Sequence, residues 1–191
     1  MASGISNVIK VLKVWLEPDL YEMVLRIYLP ILFPLTFVIT LVSLKVDEWL
    51  GWSPLLDVPT RMVLAAVLFG AGFSIWTISY AQLVYDGDGS PAPVVRRTQR
   101  LVKTGIYSWC RNPSIHGKLL GFLSVGVWVG STSFIFVLAP LLLVGSLAEK
   151  VIRQEPQLID VFGSEYDVYR REVPLFVPRL STIIGSITGR G

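Results

Sequence analysis

The chain has 191 residues, of which 52% are apolar and 16% charged, and its mean hydropathy is +0.59. Soluble domains carry roughly 25% charged residues, so this composition excludes a disordered chain and argues against a soluble domain. The formal net charge of +3 is too small to indicate nucleic-acid binding. One cysteine, Cys110, and one histidine, His116, leave too few ligands for a zinc site. The composition therefore predicts a membrane protein without a metal site.

An amphipathic segment opens the chain at residues 4–16. Its apolar residues share one helical face: Ile5, Val8, Ile9, Leu12, Trp15 and Leu16. Lys10 and Lys13 lie on the other face. The pattern predicts either a helix in the membrane interface or a helix packed on the membrane domain.

Three long uncharged stretches follow, at 27–44, 62–85 and 119–148. A hydrocarbon core of about 30 Å needs roughly 20 helical residues, so each of the first two predicts one spanning helix. The third stretch is too long for one untilted span, and the small, polar run at 130–133 predicts a turn inside it. The sequence therefore predicts a hairpin with arms at about 113–129 and 134–150, and about four membrane helices in all. The arms are short for reaching the far surface.

Lysine and arginine residues are concentrated in two segments, the loop 86–118 and the C-terminal tail. They are Arg96, Arg97, Arg100, Lys103, Arg111, Lys118, Lys150, Arg153, Arg170, Arg171, Arg179 and Arg190. The connection 45–61 has only Lys45 and Arg61. By the positive-inside rule, both termini and the loop 86–118 are expected on the cytoplasmic side.

Polar blocks at 85–118 and 149–179 flank the predicted hairpin. In the first block, Asn112 and Pro113 predict a helix start, with asparagine as N-cap and proline at the first helical position. The free N–H groups of that start, with Arg111 beside them, favour an anion. In the second block, Gly163 is expected to end the fourth helix.

Together the two blocks carry a specific pattern. Residues 101–117 read Leu-Val-x-x-Gly-x-Tyr-x-x-x-Arg-Asn-Pro-Ser-x-x-Gly, and residues 155–174 read Glu-x-x-Leu-x-x-x-Phe-Gly-x-Glu-Tyr-x-x-Tyr-x-x-x-Val-Pro. In this pattern the chain resembles the isoprenylcysteine carboxyl methyltransferase family, which is related to the membrane phospholipid methyltransferases. The resemblance implies an all-α integral membrane bundle with a cytoplasmic, helical C-terminal cap that binds S-adenosyl-L-methionine.

The resemblance also implies how a single domain, 1–191, is organised. An interfacial helix is expected within 1–26, two membrane helices within 27–85, and a cofactor-binding region at 86–179 that includes the hairpin 113–150. The implied cofactor contacts are Gln99, Arg100, Leu101, Val102, Tyr107, Arg111, Asn112, Pro113, Ser114, Ile115, Gln154 and Glu155. The implied catalytic groups are Glu155 and a cation near the acceptor, Arg153 or Lys150.

The residue types suit the chemistry of that cofactor. A helix start with Arg111 can bind its carboxylate, and Glu155 can bind its ammonium or sulfonium. Tyr107 and Trp109 can cover an adenine or face a cation. His116 is not required by the family pattern, so we expect it to pack against a neighbouring helix or lie at the interface.

The implied function is methyl transfer from S-adenosyl-L-methionine to a lipid-like or prenylated acceptor that enters from the bilayer. The favoured acceptor is an isoprenylcysteine-type carboxylate. The alternatives are a phospholipid amine N-methyltransferase and a catalytically weakened, non-enzymatic membrane protein of the same fold. The chain departs from the family pattern at Ile115, where a tyrosine is usual, and at Gln154, where the first of two glutamates is usual. The expected partners are this acceptor and the membrane, with neither nucleic acid nor metal.

Overall fold

The computed structural model describes residues 2–90 and 96–178, with side chains described from Val8 onward. Its helices are α1 (Ala2–Lys13), α2 (Pro18–Leu50), α3 (Val58–Tyr85), α4 (Pro113–Val129), α5 (Phe134–Phe162) and α6 (Ser164–Glu172). Among the described residues, α2, α3 and α5 are long and apolar enough to cross a membrane. The predicted all-α membrane bundle is therefore confirmed. The side chain of Ile5 and the tail residues Arg179 and Arg190 lie outside the described part.

The N-terminal segment ends earlier than the predicted boundary at residue 26. Glu17 has an extended backbone (φ −71°, ψ 131°), and Pro18 begins α2 at its first helical position. Proline suits that position because the N–H it lacks would have no helical partner there. Residues 18–26 therefore belong to the first long helix and not to the interfacial segment.

The N-terminal segment packs on α3 with one face and exposes apolar residues on the other. Val14 is fully buried, and the Trp15 ring stacks on Phe73 with 5.0 Å between ring centroids. On the opposite face, Leu12 and Leu16 are 66% and 75% exposed. Both predicted interpretations of the segment thus describe part of it, because packing and the apolar exposure that suits an interface occur on different faces.

Wide helical turns interrupt α2 and α5 at three places: Val24–Leu32, Phe134–Leu138 and Lys150–Gln154. In each case the N–H of the next residue bonds to a carbonyl five residues back, as in a π turn. Each segment ends two residues before a proline, namely Pro34, Pro140 and Pro156. A proline lacks the N–H and its ring displaces the carbonyl four residues back, so widening the turn relieves the clash.

The close pair of α3 and α4 positions the candidate site. A Cβ added to Gly72 would lie 2.7 Å from the Gly117 carbonyl oxygen, and one added to Gly117 would lie 2.7 Å from that of Gly72. Small residues let membrane helices approach closely in this way. The start of α4 is therefore held firmly beside the end of α3. We call this end of the bundle the site end, and the opposite end the turn end.

At the turn end, a carboxylate of α2 caps the start of α5. Asp47 is buried and accepts hydrogen bonds from the Ser131 hydroxyl at 2.6 Å and from the Ser133 N–H at 2.8 Å. The Thr132 hydroxyl donates to the Ser53 carbonyl in the connection between α2 and α3. The hairpin turn is thus level with that connection, although the sequence predicted short arms. Gly130, at φ 73°, reverses the chain directly after α4.

Candidate functional site

A cavity at the site end is enclosed by the loop before α4, the second half of α5, and α6. Most of the predicted site residues line it: Leu101, Val102, Tyr107, Arg111, Asn112, Ser114, Lys150, Gln154 and Glu155. Lining residues that the sequence argument did not assign include Thr98, Leu158, Phe162, Tyr166 and Tyr169. The two polar blocks therefore meet at one site, as their resemblance to the family implied.

Two predicted contacts in the loop, Gln99 and Arg100, do not line the cavity. Their side chains are exposed, and their backbone N–H groups both donate to the Gly87 carbonyl, at 2.9 and 3.0 Å. They hold the loop against the end of α3 through the backbone. Their contact with a cofactor stays a prediction, because these two residues are not part of the cavity lining.

Pro113, Ile115 and Arg153 also lie away from the cavity. Pro113 and Ile115 are buried in the first turn of α4, and Ile115 lines a groove on the other side of that helix. Arg153 is exposed and lines neither the cavity nor that groove. Of the two cations predicted near the acceptor, Lys150 lines the cavity and Arg153 does not.

The wide turn at Lys150–Gln154 explains which side chains of α5 face the cavity. In a regular α-helix, residues five apart point about 140° away from each other. Here the Glu155 N–H bonds to the Lys150 carbonyl, so the two residues are one π turn apart and share a face. Both therefore line the cavity, and Arg153 does not.

Arg111 and Glu155 form an ion pair in the cavity wall. Arg111 Nη1 lies 2.6 Å from Glu155 Oε1, and the two side chains are 10% and 9% exposed. Arg111 Nη1 and Glu155 Oε1 are partnered by this contact, whereas within the described residues Arg111 Nε is buried without a hydrogen bond. Buried polar atoms are nearly always hydrogen-bonded, so Arg111 retains donor capacity for a ligand. From the sequence, Arg111 was expected to bind the carboxylate of the cofactor and Glu155 its ammonium or sulfonium, and the contact between the two residues was not foreseen.

A set of buried tyrosines fixes the wall of the cavity. The Tyr107 hydroxyl shares a hydrogen bond of 2.7 Å with the Ser79 hydroxyl on α3, and the Tyr169 hydroxyl donates to the Tyr107 carbonyl at 2.7 Å. Burial raises the pKa of Tyr166 to about 12, and it also raises the pKa of Tyr107 and Tyr169. These hydroxyls therefore stay neutral at ordinary pH. Tyr166 and Tyr169 lie in the second motif, and the Tyr-x-x-Tyr spacing on α6 was the signal for their role.

The start of α4 differs from the prediction in the role of Asn112. Pro113 is at the first helical position, but the Asn112 side chain makes no capping bond and donates to the Leu175 carbonyl at 3.3 Å. The tail 173–178 therefore packs back on this segment, and the His116 ring stacks on Phe176 at 4.1 Å between centroids. His116 has a packing role, outside the cavity lining.

A second concavity, which we call the groove, lies between α4 and α5. Its lining residues are Ile115, Lys118, Leu141, Leu142, Gly145, Ser146, Glu149 and Lys150. Leu141 is 60% exposed, so the groove opens on the face of α5 that meets lipid. Lys150 lines both the cavity and the groove and marks where they adjoin. In the sequence, Lys118 was counted only among the basic residues of the loop 86–118 that indicate the membrane orientation.

Metal ligands are not assembled in the described part of the chain, where no three His, Cys, Asp or Glu residues are grouped to hold an ion. The site consists instead of an ion pair, tyrosines, a helix start and apolar side chains. Such a site suits an organic ligand with both charged and apolar parts.

Fold and site together define a helical membrane protein whose cavity, at one end of the bundle, adjoins a groove open to the bilayer. The model of the phospholipid methyltransferase family matches residues 60–165, which is more than half of the chain. The chain belongs to that family, and the resemblance found in the sequence is confirmed. The matched segment runs from α3 through the site loop and α4 to the start of α6.

Two curated relatives are named for metal resistance. The chain is 36% identical over 86 residues to the nickel-cobalt-cadmium resistance protein NccN of Alcaligenes xylosoxydans xylosoxydans, which covers 45% of this chain and 39% of that protein. It is 37% identical over 93 residues to the cobalt-zinc-cadmium resistance protein CzcN of Cupriavidus metallidurans, covering 49% and 42%. The chain thus matches about two fifths of the length of these relatives. No solved structure matches it.

Proposed function

We propose that the protein is a membrane methyltransferase that uses S-adenosyl-L-methionine to methylate a lipid-like acceptor. The observation that carries the proposal is the buried Arg111–Glu155 ion pair in the wall of a cavity, where Arg111 Nε has no hydrogen bond. Membership of the phospholipid methyltransferase family supports the type of reaction. The groove that opens on the lipid side of α5 supports an acceptor from the bilayer.

The residues present fit the cofactor. Its amino-acid part carries a carboxylate and an ammonium, which complement a neighbouring cation and anion. Arg111, with the helix start at Ser114, would hold the carboxylate, and the Glu155 carboxylate would hold the ammonium. Leu101, Val102 and the buried tyrosines offer apolar and aromatic surface for the adenosine part. When bound, this cofactor supplies an electrophilic methyl group.

In this proposal the protein positions the two reactants and excludes water from the cavity. Tyr107 and Tyr169 fix the loop that closes the cavity, and Lys150 lies where the cavity meets the groove. Lys150 would orient an acceptor of opposite charge toward the cavity. Holding two reactants in line in a dry site accounts for a large share of the barrier reduction in such displacements.

We favour an isoprenylcysteine-type carboxylate as acceptor and an ester as product. A carboxylate needs a cation to orient it and no base, and Lys150 is such a cation. The second candidate is N-methylation of a phospholipid amine, which the description of the matched family favours. An amine must lose a proton, and Glu155, the acidic residue of the cavity lining, is paired with Arg111.

Cofactor binding is the first test. Calorimetric titration of the purified chain in detergent with S-adenosyl-L-methionine should give binding that Glu155→Gln weakens about tenfold or more, the usual effect of losing a charge-assisted contact. Glu165→Gln is the matched control, because Glu165 pairs with Lys103 at the surface and does not line the cavity. A parent chain that does not bind the cofactor rejects the proposal and leaves the non-enzymatic alternative.

The product identifies the acceptor. Membranes that contain the protein, incubated with methyl-labelled cofactor, should transfer label to an organic-soluble fraction. Release of that label as methanol by mild alkali indicates an ester, whereas alkali-stable label indicates transfer to nitrogen. Label found only on water-soluble acceptors contradicts both forms of the proposal.

A further inference from the structure

Three charged residues near the N-terminus, which we call the N-terminal clamp, contact the end of α3 and the loop after it. Lys10 of α1 pairs with Asp86 at 2.6 Å. Glu17 accepts a hydrogen bond of 2.9 Å from the Tyr85 hydroxyl. The third residue is Asp19, in the first turn of α2. All three precede residue 60, where the family match begins, so membership of the family does not account for their contacts.

Asp19 contacts the loop through Arg96. Arg96 Nε lies 2.7 Å from Asp19 Oδ2, and both atoms are buried although the two side chains are 36% and 22% exposed. The same guanidinium lies 3.3 Å from Asp88 Oδ1, and the Arg96 carbonyl accepts a hydrogen bond of 3.1 Å from the Ser90 N–H. Arg96 therefore joins the start of α2 to the turn 86–90 that follows α3.

The turn 86–90 packs directly against the wall of the cavity. A Cβ added to Gly89 would lie 2.4 Å from the Thr98 Cα, and one added to Gly87 would lie 2.9 Å from Val102 Cγ2. Thr98 and Val102 both line the cavity. Because closely packed groups transmit displacement, a shift of the turn would move these lining residues as well.

Attachment of the N-terminus to the bundle does not require the clamp. Val14 and Leu20 are buried in an apolar core with Tyr80 and Val84 of α3. Apolar burial holds two elements together but is not directional, whereas ion pairs and hydrogen bonds favour one geometry. The clamp therefore specifies where the turn 86–90 lies, beyond the attachment that the apolar core provides.

From these contacts we infer that Asp19, acting through Arg96, is a positioning residue of the cavity. It holds the turn 86–90 at the place where the turn supports Thr98 and Val102. In the part of the chain that the structure describes, the cavity lining includes no clamp residue, so the clamp acts through the loop and not by contact with a ligand. The effect on cofactor affinity rests on the proposed function, whereas the effect on the position of the loop does not.

Hydrogen exchange measures the position of the loop without cofactor. The N–H groups of Gln99 and Arg100 donate to the Gly87 carbonyl and report whether the loop stays on the turn. In the purified full chain in detergent, Asp19→Asn should make these amides exchange about threefold to tenfold faster, as expected for the loss of one partly exposed charged contact. Unchanged exchange in Asp19→Asn overturns the inference.

Matched variants assign the effect to the clamp. Asp19→Glu keeps the carboxylate and should exchange at close to the rate of the parent. Lys10→Gln releases Asp86 on the same turn and should accelerate exchange, as Asp19→Asn does. Glu22→Gln is the control, because Glu22 lies on α2 and pairs with Arg26 at an exposed position away from the loop. Exchange that accelerates in the control as much as in Asp19→Asn would show a general loosening and refute the inference.

Calorimetric titration with S-adenosyl-L-methionine measures the effect on the site. Asp19→Asn should weaken binding about threefold to tenfold at a Tm close to that of Glu22→Gln, and Asp19→Glu should retain most of the affinity. A purely structural contact would lower Tm and leave the affinity of the folded chain unchanged, so faster exchange with unchanged affinity overturns the positioning role. A parent chain that fails to bind the cofactor rejects the proposed function, and the exchange result alone then decides this inference.

Discussion

Replacing Glu155 by glutamine should destabilise the protein as well as weaken cofactor binding. The substitution removes one charge of the Arg111–Glu155 pair, whose side chains are 10% and 9% exposed, and leaves the guanidinium buried without a counter-ion. Removing one partner of a buried ion pair typically costs about 3–5 kcal/mol of unfolding free energy. For a chain of this length, that loss lowers Tm by about 6–20 °C.

The double substitution Arg111→Gln with Glu155→Gln should recover most of that stability, because no charge then remains desolvated. It should not recover cofactor binding, because both charges that would hold the amino-acid part are gone. A double-mutant cycle therefore separates the stability of the pair from its proposed role in binding. Thermal unfolding in detergent, followed by circular dichroism, and calorimetric titration give the two readouts.

The matched control is again Glu165→Gln. Its partner Lys103 is at a similar distance, 2.7 Å, but the side chains are 54% and 47% exposed. Exposed pairs contribute about 1 kcal/mol or less, so the control should move Tm by a few degrees at most. The reasoning fails if Glu155→Gln shifts Tm no more than this control, or if the double variant is no more stable than the single one.

Further predictions concern the wide turn, the helix crossing and the membrane orientation. Pro156→Ala restores the missing N–H and lets the wide turn tighten, so it should weaken cofactor binding without lowering Tm. Unchanged binding would show that the wide turn does not depend on the proline. Gly117→Ala should lower Tm because its methyl group meets the α3 backbone, whereas Gly121→Ala, with open space around it, should not; equal Tm values would contradict the close crossing. Because basic residues are concentrated at the site end, cysteine at Ser53 should react with an impermeant thiol reagent added outside cells and cysteine at Thr104 should not. The opposite labelling pattern would invert the proposed orientation.

The sequence predicted the hairpin arms well because clear local signals mark where the first arm begins and ends. Pro113 begins α4 and Gly130 follows it, and both were recognised. The break at Pro18 was missed because the boundary was set at the start of the uncharged stretch 27–44, although proline is a common first residue of a helix. The Asp47 cap could not be foreseen, because its partners Ser131 and Ser133 lie more than eighty residues further along the chain.

The sequence predicted which residues form the site better than it predicted how those residues are arranged. Lys150 and Arg153 are three residues apart and share a face in a regular helix, so both qualified as the cation near the acceptor. The wide turn before Pro156 places Glu155 over Lys150 instead and leaves Arg153 exposed. Pairwise contacts, such as that of Arg111 with Glu155, arise from the folding of distant segments and have no signature in either motif.

The hydrogen bonds of Asp47 determine the rotation and depth at which α2 packs in the bundle. Only 6% of the most apolar window of α2 is buried inside the protein. In a bilayer, an apolar side chain gains little by exchanging lipid for a neighbouring helix, so such a surface cannot define one rotation or depth of the helix. Directed hydrogen bonds to Ser131 and Ser133 can, because only one register of α2 satisfies both. Asp47, Ser131 and Ser133 therefore fix the position of α2 at the turn end, which the many exposed apolar residues of α2 cannot determine.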